Sequence, residues 1–173
     1  VAAVGAPGAA WWAASLSAGV AVLCGRAGVA LGTWCSMGVI RNSLPVMLEG
    51  ASIVAGSRTP AMAGAPGIRG DFYEALAPSI PVHYDASLGL MSSASVALVT
   101  SGTATLECAL VGTPQVACYR ANGSRISYEI MRRLLKIPYV TLPNLIMGEE
   151  IIPEMLLHNC IPDRVAAALA ARL

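Results

Sequence analysis

From Val54 onward the chain falls into short apolar blocks separated by polar turns. Val96 to Val99 is an uncharged, largely apolar run of the kind buried on both faces of a sheet, and Gln115 to Tyr119 reads the same way. Between them Thr103 to Val111 fits a compact helix, with Gly112 as its C′ residue and Pro114 barring continuation. Upstream, Val54 with Ala63 to Pro66 predicts a strand ending in a turn, Asp71 to Leu76 a short helix, Val82 to Tyr84 a strand, and Ser87 to Ser93 a second brief helix. Downstream, Ser124 to Lys136 reads as an amphipathic helix, with Ile126, Ile130, Met131, Leu134 and Leu135 on one side and Arg125, Arg132, Arg133 and Lys136 on the other. Tyr139 to Leu142 reads as a strand and Asp163 to Leu173 as an alanine-rich helix. Alternating strands and helices without an internal repeat argue for an α/β fold: a Rossmann-like parallel sheet with helices on both faces.

In such a sheet ligands bind at the carboxyl ends of the strands, which is where Ser101 and Gly102 fall. Gly102 permits close approach to the backbone, the first-turn N–H groups attract an anion, and the hydroxyls of Ser101, Thr103 and Thr105 add donors, so a phosphate fits. Thr103 and Glu107 are four residues apart on one helix face, while Leu106 and Leu110 form the opposite, core-facing stripe. A carboxylate one turn beyond a phosphate is a good bidentate acceptor for the two hydroxyls of a ribose, which suggests a nucleotide. The plainer alternative stays open at this point: Ser-Gly-Thr caps a helix and Glu107 is a solvated side chain.

Composition narrows the classes. The chain has 173 residues, one ordinary domain, and a net charge of +1 that points away from nucleic acid. Its five cysteines (Cys24, Cys35, Cys108, Cys118, Cys160) have no CxxC or zinc spacing and read as reduced apolar fillers, so no metal and no cofactor are expected. Val1 to Cys24 is long enough to cross a bilayer and carries no charge, but it is mostly Ala, Gly, Val and Ser with Pro7 inside, so its transfer energy is weak. We expect residues 1–40 to form an aberrant or poorly ordered apolar segment and residues 41–173 a nucleotide-binding domain.

SGTATLE at Ser101 to Glu107, followed by ALVGTPQVACYR and by YVTLPNLIMGEEIIPEML at Tyr139 to Leu156, resembles the carboxyl-terminal half of the lipid-A-disaccharide synthase family. RNSLPVMLEGAS at Arg41 and AGAPGIRGDFYEAL at Ala63 extend the likeness more weakly. The resemblance implies an inverting glycosyltransferase of the two-domain GT-B arrangement, of which this chain is the UDP-binding half. It implies transfer of 2,3-diacylglucosamine from UDP-2,3-diacylglucosamine to 2,3-diacylglucosamine 1-phosphate, with release of UDP. It further implies lipid A biosynthesis in the cytoplasm, peripheral on the inner face of the bacterial inner membrane, and admits a homodimer. The cations of Ser124 to Lys136 would then lie against anionic phospholipid or substrate phosphate, at about 1 kcal/mol each.

The resemblance assigns UDP contacts to Ser101, Gly102, Thr103, Ala104, Thr105 and Glu107. Tyr119 and Arg120 face the same cleft, and Asn144 stands at the break after a strand, suited to read a base or hold a diphosphate oxygen. The family's Gly-Ser-Arg loop should precede a helix like Arg41 to Gly50, yet Gly32 to Cys35 stands there; the Gly-Ser-Arg at Gly56 to Arg58 follows that helix and reads as a chance match. A basic residue expected near Glu149 is also missing. The family's base belongs to the other domain, and His83 and His158 sit in no nucleophile motif, so no catalytic residue is assigned. The alternatives are another GT-B UDP-sugar enzyme, an epimerase or an N-acetylglucosaminyl transferase, and a non-catalytic fragment. The 173 residues are about half of what a two-domain enzyme needs, so this chain by itself is expected to be inactive.

Overall fold

A computed structural model describes residues 20–24, 29–32, 37–65, 68–100, 102–120 and 138–173. In chain order the elements are β1 (Val20–Cys24), β2 (Val29–Gly32), α1 (Met37–Ala55), β3 (Ala61–Ala63), α2 (Gly70–Leu76), β4 (Val82–His83), α3 (Ser87–Ser93), β5 (Ala94–Val99), α4 (Thr103–Leu110), β6 (Gln115–Tyr119), α5 (Leu142–Met147), β7 (Glu154–Leu156) and α6 (Pro162–Ala170). A single 3-10 turn, Leu157–Asn159, joins β7 to α6.

The strands form one sheet in the order β4-β3-β2-β1-β5-β6-β7, with β2 also pairing directly with β5. β1 runs antiparallel to both neighbours, whereas β2 through β7 pair in parallel. The alternation along β5 and β6 sorts side chains between two layers. Val96, Leu98, Val116 and Cys118 face one side and pack with Ile40, Leu44 and Met47 of α1 and Val165 and Leu169 of α6. Ala97 and Val99 face the other, against Met91 of α3 and Ala104 and Cys108 of α4. Helices therefore cover both faces, as the sequence predicts.

Several boundaries move. Val54 belongs to α1, not to a strand; Gly56, at φ +53°, turns the chain out of the helix, and the strand is only Ala61–Ala63. Tyr139 to Leu142 is not a strand. Thr141 is extended and Leu142 opens α5 with Pro143 in the first turn, where its fixed φ and missing N–H suit a helix start. The core-facing side of α4 also differs from expectation. Ala104, Thr105 and Cys108 are buried, while Leu110 is 78% exposed. Small residues let α4 approach the sheet closely, and the larger leucine side points outward. The amphipathic segment Ser124 to Lys136 lies outside the described residues, as do residues 1–19. Among the described residues no helix is long and apolar enough to cross a membrane.

The layer of α1 and α6 is packed to contact at Gly50, where an added Cβ would stand 2.8 Å from Val165 Cβ and Cγ1 and 3.0 Å from the Pro162 carbonyl. Alanine in a helix gains up to about 1 kcal/mol in propensity over glycine. Overpacking against a buried side chain and a carbonyl costs about 1 to 3 kcal/mol and should win. Gly50→Ala is expected to destabilise the chain by about 1 kcal/mol net, read as a lower urea midpoint; a midpoint equal to or above the parent's would contradict this packing.

Candidate functional site

The candidate site forms where β5 ends and α4 begins. β5 is buried through Val99 and Thr100, and Gly102 then takes φ +128° and ψ −160°, a conformation open in practice only to glycine. That residue turns the chain sharply enough to start α4 at Thr103. The helix's amino end, with its positive partial charge, faces the carboxyl edge of the sheet. Ser101 lies outside the described residues.

The first turn is fixed from within. Thr105 is buried; its Oγ1 donates to the Gly102 carbonyl at 2.7 Å and its N–H to the same oxygen at 3.2 Å. Gln115 Nε2, also buried, donates to the Thr105 carbonyl at 2.8 Å and ties the turn to β6. Thr105 therefore shapes the loop with its hydroxyl rather than presenting it to the cleft. At the other end Gly112, at φ +77°, closes a Schellman motif: Gly112 N–H donates to Ala109 O at 3.1 Å and Thr113 N–H to Cys108 O at 3.2 Å. Thr113 Oγ1 donates to Met91 O at 2.7 Å, linking this end to α3.

Thr103 and Glu107 share the flank of α4 between its buried and exposed faces. Burial pushes the Glu107 carboxyl above its ordinary value. The Cys108 thiol is pushed up to about 12 by burial, so it stays neutral. Cys108, Cys118 and Cys160 are all buried and unpaired as disulfides. Among the described residues no three His, Cys, Asp or Glu side chains cluster as metal ligands.

The end of β6 carries Tyr119, half-buried, and Arg120, exposed. The Arg120 N–H donates to Ser43 Oγ of α1 at 2.8 Å, and its Nη1 to Cys160 O at 3.3 Å. Arg58, the arginine of the displaced Gly-Ser-Arg, folds back on its own helix, with Nη1 donating to Val54 O at 3.1 Å. His83 lies in β4 at the far edge of the sheet, and His158 in the 3-10 turn. A cavity of about 480 Å³ flanks that same far edge, lined in part by Gly70, Glu74, Ser79, Pro81 and Tyr84; it shares none of the residues at the Gly102 turn.

Asn144 is placed otherwise than expected. It lies inside α5, not after a strand, and is fully buried. Its Oδ1 accepts from Ile151 N–H at 3.0 Å and Ile152 N–H at 2.8 Å; its Nδ2 donates to Ile152 O at 2.8 Å and Glu154 Oε1 at 3.0 Å. All four positions of the amide are occupied by the protein itself. The residues that sequence reasoning missed are Ser43, Gln115 and Glu154, each a polar side chain whose partner lies far along the chain or on the backbone.

A mostly parallel sheet covered on both faces, with a glycine turn opening a helix at the end of an inner strand, defines the Rossmann-like α/β class. The chain belongs to the lipid-A-disaccharide synthetase family, whose model matches residues 75–173. It is similar to lipid-A-disaccharide synthases of Serratia proteamaculans (44% identical over 96 residues, 54% of this chain and 25% of the relative) and Neisseria meningitidis (47% over 78 residues, 45% and 20%). The same holds for the Escherichia coli enzyme, 41% identical over 97 residues, or 55% of this chain and 25% of the relative. The chain thus aligns with about a quarter or less of the length of these relatives.

The raised Glu107 carboxyl makes a prediction about stability. A folded-state pKa above the ordinary 4.5 means that no penalty applies in acid and that one accumulates as pH rises through the folded value. Because Glu107 is partly solvated, the penalty at neutral pH is screened to about 0.5 kcal/mol or less. Glu107→Gln should therefore match the parent at pH 4 and exceed it slightly at pH 7 in urea titrations. A variant less stable at pH 7 would mean that the carboxylate is held by a favourable partner.

Proposed function

We propose that this chain is the UDP-binding half of a glycosyltransferase of lipid A biosynthesis. The whole enzyme would join 2,3-diacylglucosamine, from its UDP derivative, to 2,3-diacylglucosamine 1-phosphate, giving the disaccharide 1-phosphate and UDP. The acceptor hydroxyl attacks the anomeric carbon and gives up its proton to a base on the other domain, while the bond from that carbon to the diphosphate oxygen breaks with inversion. On this reading the domain's part in catalysis is to receive the charge that develops on the departing diphosphate.

The observation that carries the reading is the conjunction of Gly102 at φ +128°, the helix start at Thr103 and a flank carboxylate, Glu107, with a raised pKa. The diphosphate would lie against the backbone of Gly102, Thr103 and Ala104 and the hydroxyls of Ser101 and Thr103. Thr105 contributes through the shape of the turn. Glu107 would accept the two ribose hydroxyls, whose donors offset its desolvation. Tyr119 borders the site, and Arg120, with Nη1 on Cys160 O, would turn its remaining donors to the diphosphate. Asn144 contributes by fixing the neighbouring wall. We place the enzyme at the cytoplasmic face of the inner membrane, docked without spanning it and open to pairing as a homodimer, with the cations of Ser124 to Lys136 towards anionic lipid.

Calorimetric titration of UDP into the chain tests this. Saturable binding selective over adenosine diphosphate is expected, and Glu107→Ala should weaken it about 10-fold, or about 1.4 kcal/mol. A folded chain that gives no heat with UDP, or binds both nucleotides equally, would overturn the reading.

A further inference from the structure

We propose that Glu154 is a positioning residue for the nucleotide cleft: its carboxylate holds the 140–144 segment, and Asn144 within it, in one arrangement beside α4. The proposal rests on the nucleotide reading above.

Glu154 opens β7, the strand at the sheet's edge, in register with Ala117 of β6. Its Oε1 accepts from Thr141 Oγ1 at 2.7 Å, Thr141 N–H at 2.8 Å and Asn144 Nδ2 at 3.0 Å. Val140 N–H is shared between the two oxygens, 3.0 Å from Oε2 and 3.1 Å from Oε1. Among the described residues these partners are all neutral donors, and through them the carboxylate organises the backbone.

The helix it organises cannot organise itself. α5 has six residues, far below the length at which a helix is stable alone. Thr141 is its N-cap but makes no capping bond to the helix. Its hydroxyl is turned instead to Glu154, which supplies from across the chain the acceptor that Val140 and Thr141 N–H need. Asn144 then passes the constraint on, joining Glu154 to Ile151 and Ile152 and so closing the loop that leads into β7. α5 packs on α4, the helix whose flank carries Glu107. A shift of α5 therefore displaces the wall beside the ribose carboxylate.

The arrangement needs an acceptor at Oε1, which all four donors reach. Glutamine can keep Oε1 with all of its donors, Val140 N–H at 3.1 Å among them, and gives up only the second, Oε2 branch of the Val140 bond; alanine loses all of them. The test titrates UDP into the full chain and its Glu154→Ala, Glu154→Gln and Thr141→Val variants, with Leu169→Ala as a control. Leu169 is buried in α6 on the opposite face of the sheet, so its loss lowers stability without touching the cleft. Thermal unfolding is recorded for each.

We expect Glu154→Ala to weaken UDP about 10-fold, Thr141→Val about 3-fold, and Glu154→Gln less than about 3-fold, while Leu169→Ala binds as the parent despite a lower Tm. If Glu154→Ala does not fold, Thr141→Val carries the same expectation in milder form. Parental affinity in Glu154→Ala or, where that variant is unfolded, in Thr141→Val overturns the positioning role and leaves the nucleotide reading standing. Equal weakening in Leu169→Ala does the same, since general destabilisation would then explain the loss. A parent chain that binds no UDP overturns both.

Discussion

The site depends on how closely α4 lies on the sheet, and that closeness is set by side-chain size. Along β5 Val96 and Leu98 face α1 and α6, whereas Ala97 and Val99 face α3 and α4. Against them α4 presents Ala104 and Cys108. A helix resting on alanines and a cysteine sits nearer the strands than one resting on leucines, so the connection from β5 must turn within very few residues. Only a backbone such as that of Gly102 can do so, and the strain admits the glycine that also opens the strand's end to a ligand. The buried hydroxyl of Thr105 and the amide of Gln115 then hold the turn against relaxation.

Two glutamates mark the difference between a residue whose carboxylate is held by the protein's own donors and one that, on the proposed reading, is kept for a ligand. Glu154 has its oxygens occupied by four donors from Val140, Thr141 and Asn144. Glu107 is partly buried on the flank of α4, and burial raises its pKa. A half-buried carboxylate in that condition costs the fold stability at neutral pH, and functional sites are where such costs are retained. From sequence the two look alike, since each is a carboxylate among apolar neighbours.

That comparison also explains what was legible in the sequence. β5, α4 and β6 could be read because each is signalled locally: an apolar run, a glycine with a proline two residues on, and a second apolar run. The Gly112 Schellman turn is the clearest case, since φ +77° there is a one-residue signal. The inward side of α4 was not legible, because leucines at 106 and 110 outweigh alanine and cysteine on any hydropathy scale while the sheet selected for small volume. Tyr139 to Leu142 reads as a strand because it is uncharged and largely apolar, with Asn144 in the break after it, whereas Leu142–Met147 is a helix. Its stop and start are written in Pro143 and in a carboxylate twelve positions after Leu142, a distance over which no periodicity operates.

Asn144 shows where pattern reasoning about chemistry needs geometry. An asparagine in a polar break has donor and acceptor capacity to spare, and a nucleotide could use both. Folding spends that capacity on Ile151, Ile152 and Glu154 before any ligand arrives. Removing the amide would take from the buried Ile152 both the acceptor of its N–H and the side-chain donor to its carbonyl, at a cost of about 1 to 3 kcal/mol for each group left unsatisfied. A loss of nucleotide binding on substituting Asn144 would thus follow from a displaced wall as readily as from a lost contact, and only a variant that disturbs the same wall without touching Asn144 can separate the two causes. Thr141 provides it, because its hydroxyl reaches the common acceptor, Glu154 Oε1, from the other side.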